Sequence, residues 1–173
     1  MTVIVVEGPD GAGKSTLIDN LRLSTDRHYV SMRRSGPPKE ANEIGCIIRW
    51  IQRYSGPTPL ILDRHPFISE PIYGPILRGS SLLEGEYTVT DIEDHFRAHV
   101  NRVIYCRPPT SVIARKMHDN QQLKGVVERI DQITQRYDAT MKLVRHWGIN
   151  VVEYDWTVQH ENNLKGLVFG ESL

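Results

Sequence analysis

The sequence predicts an α/β protein: a five-stranded parallel sheet flanked by helices in one domain, residues 1–173. Two observations carry that expectation. Short aliphatic runs alternate with stretches of helical periodicity, as in a chain of strand–helix–strand units. The first run, Val3–Val6, leads directly into Gly8-Pro9-Asp10-Gly11-Ala12-Gly13-Lys14-Ser15, a phosphate-binding loop pattern that requires a strand before it and a helix after it.

The elements follow in order. Val3–Val6 is β-branched and bounded by glycine, which reads as a strand buried on both faces. Lys14–Leu23 is a helix with Leu17, Ile18 and Leu21 on one face. A short second strand is expected over Tyr29–Met32, then a loop at Arg33–Pro38. Lys39–Tyr54 places Ile44, Ile47, Ile48 and Ile51 at helical spacing, and Ser55-Gly56-Pro57 stops it. Pro59–Asp63 is the third strand. Pro66–Tyr87, rich in Gly, Pro and Ser and lacking clean periodicity, reads as a short helix plus surface loop. Thr90 is expected to cap a helix running to about His99, with Asp91 and Glu93 in its first turn. Arg102–Cys106 is the fourth strand, and Thr110 opens a helix to about Met117. After a polar interruption at His118–Lys124, Val126–Trp147 forms a long helix with Val127, Ile130, Ile133, Tyr137, Met141 and Val144 on its buried side. Ile149–Tyr154 is the fifth strand, and a weak helical pattern follows at Leu164–Val168. No repeat and no second domain is evident.

Twenty-one basic and 21 acidic residues give a formal net charge of +0, which argues against a polyanion as the main partner without excluding nucleic acid. Cys46 and Cys106 lie far apart in apolar contexts, which suggests buried free thiols and a reducing compartment. No apolar run approaches the roughly 18–20 residues of a membrane span, and the N-terminus enters the first strand directly. A cytoplasmic protein is the expectation.

The loop carries the clearest chemistry. Backbone N–H groups of Gly8, Asp10, Gly11, Ala12, Gly13 and Thr16, with the positive end of the following helix, suit the phosphates of a nucleoside triphosphate. Lys14 would reach the β- and γ-phosphates, and the Ser15 hydroxyl would hold Mg²⁺. Asp63 closes a buried strand, where an unpaired charge is expensive, so a role in ordering Mg²⁺ or pairing with an arginine is expected. The planar fork of Arg64 suits an acceptor phosphate. Arg33 and Arg34 end the second strand, at the edge where ligands gather. A segment at about 115–129, with Arg115, Lys116, Lys124 and Arg129, reads as a lid able to bring positive charge to a transferring phosphoryl group. Trp50, beside Arg49 and four residues from Tyr54, offers a surface for stacking a base. His95 and His99 lack a third ligand nearby and read as a solvated helix face.

With those motifs in place, the chain resembles the thymidylate kinase family of nucleoside monophosphate kinases. The resemblance lies in Glu7-Gly8-Pro9-Asp10-Gly11-Ala12-Gly13-Lys14-Ser15-Thr16 and in Asp63-Arg64-His65, with Ser69, Tyr73, Arg129 and Tyr137 downstream. It implies a three-layer P-loop kinase fold with strand order 2-3-1-4-5, ATP as donor, Mg²⁺, and a nucleotide acceptor. It also implies that Asp10 contacts the sugar hydroxyl and that Ser69 and Tyr73 line the monophosphate site; a homodimer stays open as one assembly the sequence allows. The chain departs from the family in having room for one helix between strands two and three, and in Arg33-Arg34-Ser35-Gly36-Pro37. So compact a variant resembles a phage-type deoxynucleoside monophosphate kinase, which would act in a host cytoplasm.

Three functions stay open at this level. The first is transfer of the γ-phosphoryl group of ATP to a (deoxy)nucleoside monophosphate, in which Lys14, Asp63, Arg64 and Arg129 would act. The second keeps the fold but has a hydroxyl acceptor, a deoxynucleoside or a modified base in DNA, with Asp63 as base. Arg33 and Arg34, where a hydroxyl-acceptor enzyme would carry a glutamate, favour the first. The third is a nucleotide-binding regulator with weak turnover.

Overall fold

The computed structural model describes residues 2–24, 30–32, 37–119, 126–159 and 164–169. Five strands, β1 (Val3–Glu7), β2 (Val30–Met32), β3 (Leu60–Asp63), β4 (Arg102–Cys106) and β5 (Asn150–Tyr154), form one parallel sheet in the order β2-β3-β1-β4-β5. β1 is central, and all five of its residues are buried, so both of its faces are covered. Because the strands are parallel, Glu7, Asp63, Cys106 and Tyr154 end at the same edge. The register pairs Val6 with Asp63 and Glu7 with Tyr105.

Helices α1 (Lys14–Ser24), α2 (Ala41–Arg53), α3 (Pro66–Arg78), α4 (Val89–His99), α5 (Thr110–Asp119), α6 (Ile130–His146) and α7 (Leu164–Phe169) complete the architecture, with a 3₁₀ turn at Val127–Arg129 leading into α6. Leu17, Ile18 and Leu21 bury the inner face of α1, and Ile44, Ile48 and Ile51 that of α2. Helix α1 contacts α7, while α3 and α5 both contact α6. The expected parallel α/β arrangement is present.

Three local expectations are corrected. Pro66–Tyr87 is dominated by a 13-residue helix rather than a short one, although Pro71 and Pro75 lie inside it. Pro66 sits in the first turn, where its missing N–H costs nothing, and His65 caps the end by accepting the Phe67 N–H on Nδ1 at 3.2 Å. Pro71 and Pro75, one turn apart, share the less buried side of the helix. Periodicity failed here because Phe67, Ile68, Glu70, Ile72, Tyr73 and Gly74 are buried around most of its circumference. Cys46 is exposed rather than buried, since its position on α2 falls outside the Ile44–Ile48–Ile51 stripe; Cys106 is buried.

The cap of α4 is Thr88, not Thr90. Thr88 Oγ1 accepts the Asp91 N–H at 3.2 Å, and Asp91 Oδ2 accepts the Thr88 N–H at 2.8 Å, so two otherwise orphaned donors are satisfied reciprocally. Thr90 lies within the first turn. Thr88→Ala should therefore cost about 1 kcal/mol in urea unfolding, and Thr90→Ala only a few tenths. Equal losses at the two positions would contradict the assignment.

Candidate functional site

At the carboxyl end of β1 the chain turns back over the sheet through Gly8, whose φ is 145°. A Cβ there would lie 2.4 Å from the carbonyl oxygen of Cys106, so glycine is required for the loop to pass β4. Gly13, at φ 89°, lies against the Trp156 ring, which a Cβ would meet at 2.9 Å. The loop thus rests on the ends of β4 and β5 and enters α1 at Lys14. Lys14 Nζ donates to the carbonyls of Gly8 at 2.9 Å and Pro9 at 2.7 Å. Burial, followed by the charge of Arg64, pulls its ammonium down to about 8.

The end of β3 faces this loop. Asp63 Oδ2 lies 3.5 Å from Ser15 Oγ, bringing together two of the hard oxygen donors a divalent cation prefers. Arg64 takes the left-handed conformation, φ 75°, the one non-glycine residue at positive φ among the described residues. Its N–H donates to Val6 O at 3.0 Å, its Nη1 donates to the Tyr137 hydroxyl at 3.0 Å, and its Nη2 pairs with Asp10. The guanidinium lies 4.9 Å from the centroid of the Tyr73 ring, and the Tyr73 hydroxyl accepts the Asp10 N–H at 3.1 Å. One cavity of about 460 Å³ joins the two halves. Asp10, Gly11, Gly13, Lys14, Ser15 and Thr16 line one part, and Asp63, Arg64, Ser69, Glu70, Tyr73 and Leu77 line another. Pro37, Pro38 and Lys116 line it too.

The sequence-predicted site residues divide into three groups. Those just named come together, with Gly8 and Ala12 forming the loop beneath. Arg49, Trp50 and Arg129 do not line the cavity. Arg49 Nη2 lies 3.3 Å from Cys46 Sγ, Trp50 packs on Tyr54 at 5.7 Å between centroids, and Arg129 Nη1 donates to Ile76 O at 2.8 Å. Arg115 is exposed on α5, while Lys116 Nζ sits 3.9 Å from the centroid of the Trp156 ring. Arg33, Arg34 and Lys124 lie outside the described residues.

Sequence reasoning assigned no role to Glu7, Glu70 or Trp156. Glu7 is fully buried, and its Oε1 accepts the His65 N–H at 2.6 Å while its Oε2 accepts the Tyr137 hydroxyl at 3.1 Å. Burial pushes its carboxyl up to about 7, opposed by Arg64, the His65 amide, Lys14 and Tyr137. The side chain of Glu70 is almost wholly buried and pairs with Arg78, and it also accepts the Leu82 N–H at 2.8 Å. The available signal for Trp156 was its position just past the carboxyl end of β5, where ligands gather in parallel sheets.

No family model matches the chain, and no curated protein sequence matches it. Solved structures share the fold. The YorR protein of Bacillus subtilis, in complex with phosphorylated GDP, is 21% identical with a TM-score of 0.66, over 97% of this chain and 94% of that one. Deoxyadenosine kinase of M. mycoides with the products dCMP and dCDP is 14% identical with a TM-score of 0.63, over 95% of each chain. The same enzyme with bound dATP is 14% identical with a TM-score of 0.60, over 95% of this chain and 96% of that one.

Behind Arg64 lies a buried histidine pair, which corrects the reading of His95 as solvated. The Nε2 atoms of His65 and His95 are 3.1 Å apart, and the His95 ring packs against Phe67 and Phe96. Since His65 Nδ1 accepts from Phe67, its proton is assigned to Nε2, which donates to His95 Nε2. The His95 proton then sits on Nδ1, which has no partner among the described residues. Burial, then the neighbouring His99, lowers His95 to about 4 from the ordinary 6.5. The folded state therefore binds fewer protons than the unfolded chain between those values, and stability falls as pH drops through that window. The slope contributed is at most about 1.4 kcal/mol per pH unit. Unfolding measured from pH 7 to 4 should show this loss, and its difference from His95→Asn should isolate it; parallel curves would refute a neutral buried imidazole.

Proposed function

We propose that the chain transfers the γ-phosphoryl group of ATP to a (deoxy)nucleoside monophosphate, giving ADP and the diphosphate. The observation that carries this reading is a pair of cationic groups lining one cavity: Lys14 in a glycine loop at a helix N-terminus, and Arg64 on the turn after β3. One suits the triphosphate and the other an anionic acceptor. The likeness in fold to structures holding phosphorylated GDP and deoxynucleotides supports the same reading.

An acceptor phosphate is already ionised near neutral pH, so the site needs clamps and alignment rather than a general base. In the step, an acceptor oxygen forms a bond to the γ-phosphorus as the bond from that phosphorus to the β–γ bridging oxygen breaks, and ADP leaves. Lys14 neutralises charge gathering on the donor oxygens, while Arg64, held by Asp10 and Tyr137, orients the acceptor. Ser15 and Asp63 would hold Mg²⁺, which supplies further neutralisation of the phosphates when bound. Ser69 and Tyr73 would belong to the acceptor side, and Lys116 of the expected lid segment lines the cavity.

A second reading, with a nucleoside hydroxyl as acceptor and Asp63 as its base, draws support from the likeness to deoxyadenosine kinase. The nearness of Asp63 to Ser15 favours the metal role instead.

ADP release measured with ATP, Mg²⁺ and a panel of nucleosides, nucleoside monophosphates and DNA tests the reading. Turnover should depend on a monophosphate; turnover with nucleosides alone would transfer the assignment to the hydroxyl acceptor. Lys14→Ala should lower kcat about 100- to 1,000-fold without changing the melting temperature much. Arg64→Ala should raise the KM of the acceptor about 10- to 100-fold and leave that of ATP nearly unchanged. Equal changes in both constants would remove Arg64 from the acceptor site.

A further inference from the structure

The geometry points to Glu7 as the positioning residue for Arg64: its buried carboxylate, through the Tyr137 hydroxyl and the His65 amide, sets the orientation in which the guanidinium meets the acceptor. The inference rests on the phosphate-acceptor reading above and assigns work to a side chain that does not line the cavity.

The hydrogen bonds around Glu7 run in one direction. An ionised carboxylate only accepts, and three donors converge on Glu7: the His65 N–H at 2.6 Å, the Tyr137 hydroxyl at 3.1 Å and the Gly8 N–H at 3.4 Å. Tyr137 has a single hydroxyl proton. Given to Glu7, it leaves the phenolic oxygen as an acceptor facing Arg64 Nη1 at 3.0 Å. The order Arg64 to Tyr137 to Glu7 is therefore fixed by the one group that cannot donate. The Tyr137 ring cannot swing away, because it is stacked on Tyr105 at 5.9 Å and edge-on to Tyr73 at 6.1 Å between centroids.

The same carboxylate holds the backbone. Arg64 is at φ 75°, a conformation that is unfavourable for a side chain of this kind unless its surroundings impose it. Its own N–H is tied to Val6 O at 3.0 Å, and the next N–H, that of His65, is tied to Glu7 Oε1. Both ends of the strained residue are thus anchored to consecutive residues of β1. Glutamine at position 7 keeps one acceptor but replaces the other with an NH₂ that repels these donors.

The groups facing Glu7 are Lys14 from α1, Arg64 and His65 from the β3–α3 turn, Tyr137 from α6 and Cys106 from β4. Burial holds His65 well below its ordinary range, Cys106 is pushed up to about 12, and Lys14 loses its proton only near 8. Among them the Glu7 carboxyl is the group that titrates near neutrality, and its protonation breaks the acceptor end of the chain.

Steady-state kinetics of Glu7→Gln, Tyr137→Phe and Arg64→Ala, with the best monophosphate acceptor and ATP from pH 5.5 to 8.5, form the test. Glu7→Gln should lower kcat/KM for the acceptor at least 10-fold, mainly through its KM, and change the KM of ATP less than twofold. Wild-type kcat/KM for the acceptor should rise with pH through an ionisation near that of Glu7, and Glu7→Gln should lose that limb while keeping those of the acceptor's own phosphate and of Lys14. Tyr137→Phe leaves the bond from Glu7 to His65 intact and should weaken the acceptor in the same way; if Glu7→Gln does not fold, loss of the Glu7 limb from the pH profile of Tyr137→Phe decides the matter. Unchanged acceptor constants in Tyr137→Phe and any folded Glu7→Gln, beside a weakened Arg64→Ala, would overturn the relay alone. An Arg64→Ala enzyme with wild-type acceptor constants would overturn the acceptor reading and the relay with it.

Discussion

The buried carboxylate of Glu7 is the constraint around which the candidate site is arranged. An ionised group taken out of water is expensive unless donors replace the lost hydration, and here they come from three parts of the chain. The Gly8 amide belongs to the loop, the His65 amide to the β3–α3 turn, and the Tyr137 hydroxyl to α6. Satisfying one charge therefore requires the loop, the Asp63–Arg64 turn and the long helix to meet at the end of the central strand. Parallel pairing supplies the place, because β1 and β3 end side by side with Val6 opposite Asp63.

Close approach is the second constraint. The loop presents its backbone to the cavity only because it can lie against β4, and Gly8 permits that contact with the Cys106 carbonyl. Gly13 permits the corresponding contact with Trp156, whose ring also carries Lys116. The loop, Lys116 of α5 and the segment just past β5 thus meet around the Trp156 ring. A substitution at Trp156 would disturb both the loop and the position of Lys116, although the residue lies in none of the motifs.

Much of the fold was legible because its signals are local. Strands buried on both faces read as aliphatic runs, α1 and α2 carry clean apolar stripes, and the loop spacing marks the first strand–helix junction. What was not legible depends on neighbours far away in sequence. Helix α3 is enclosed by residues from other elements, so its burial follows no period and the segment reads as a short helix plus surface loop. His95 was read as solvated because nothing within α4 reveals that His65 and Phe67 will cover it. The partnership of Glu7 with Tyr137 spans 130 residues and leaves no local trace. Thr88 shows a different failure: two threonines stand at the start of the helix, and only the reciprocal bond with Asp91 tells them apart.

The pairing of Asp10 with Arg64 appears at first to work against an anionic acceptor, since a carboxylate already occupies the arginine. Donor accounting resolves this. A guanidinium has five N–H groups, of which the described bonds to Tyr137 and Asp10 use one on Nη1 and one on Nη2. Those bonds leave the remaining N–H groups of the fork to other partners, of which a phosphate is one that suits it. The two occupied donors hold the plane of the fork fixed, with Tyr73 beneath it. An arginine bound this way has already lost its side-chain entropy, so less of the binding energy of an anion would go to ordering it. Asp10 also places a carboxylate of the loop beside Arg64. The loop therefore contributes to both halves of the site, and a bulky or cationic replacement at position 10 would loosen Arg64 while leaving Lys14 and its carbonyl partners in place.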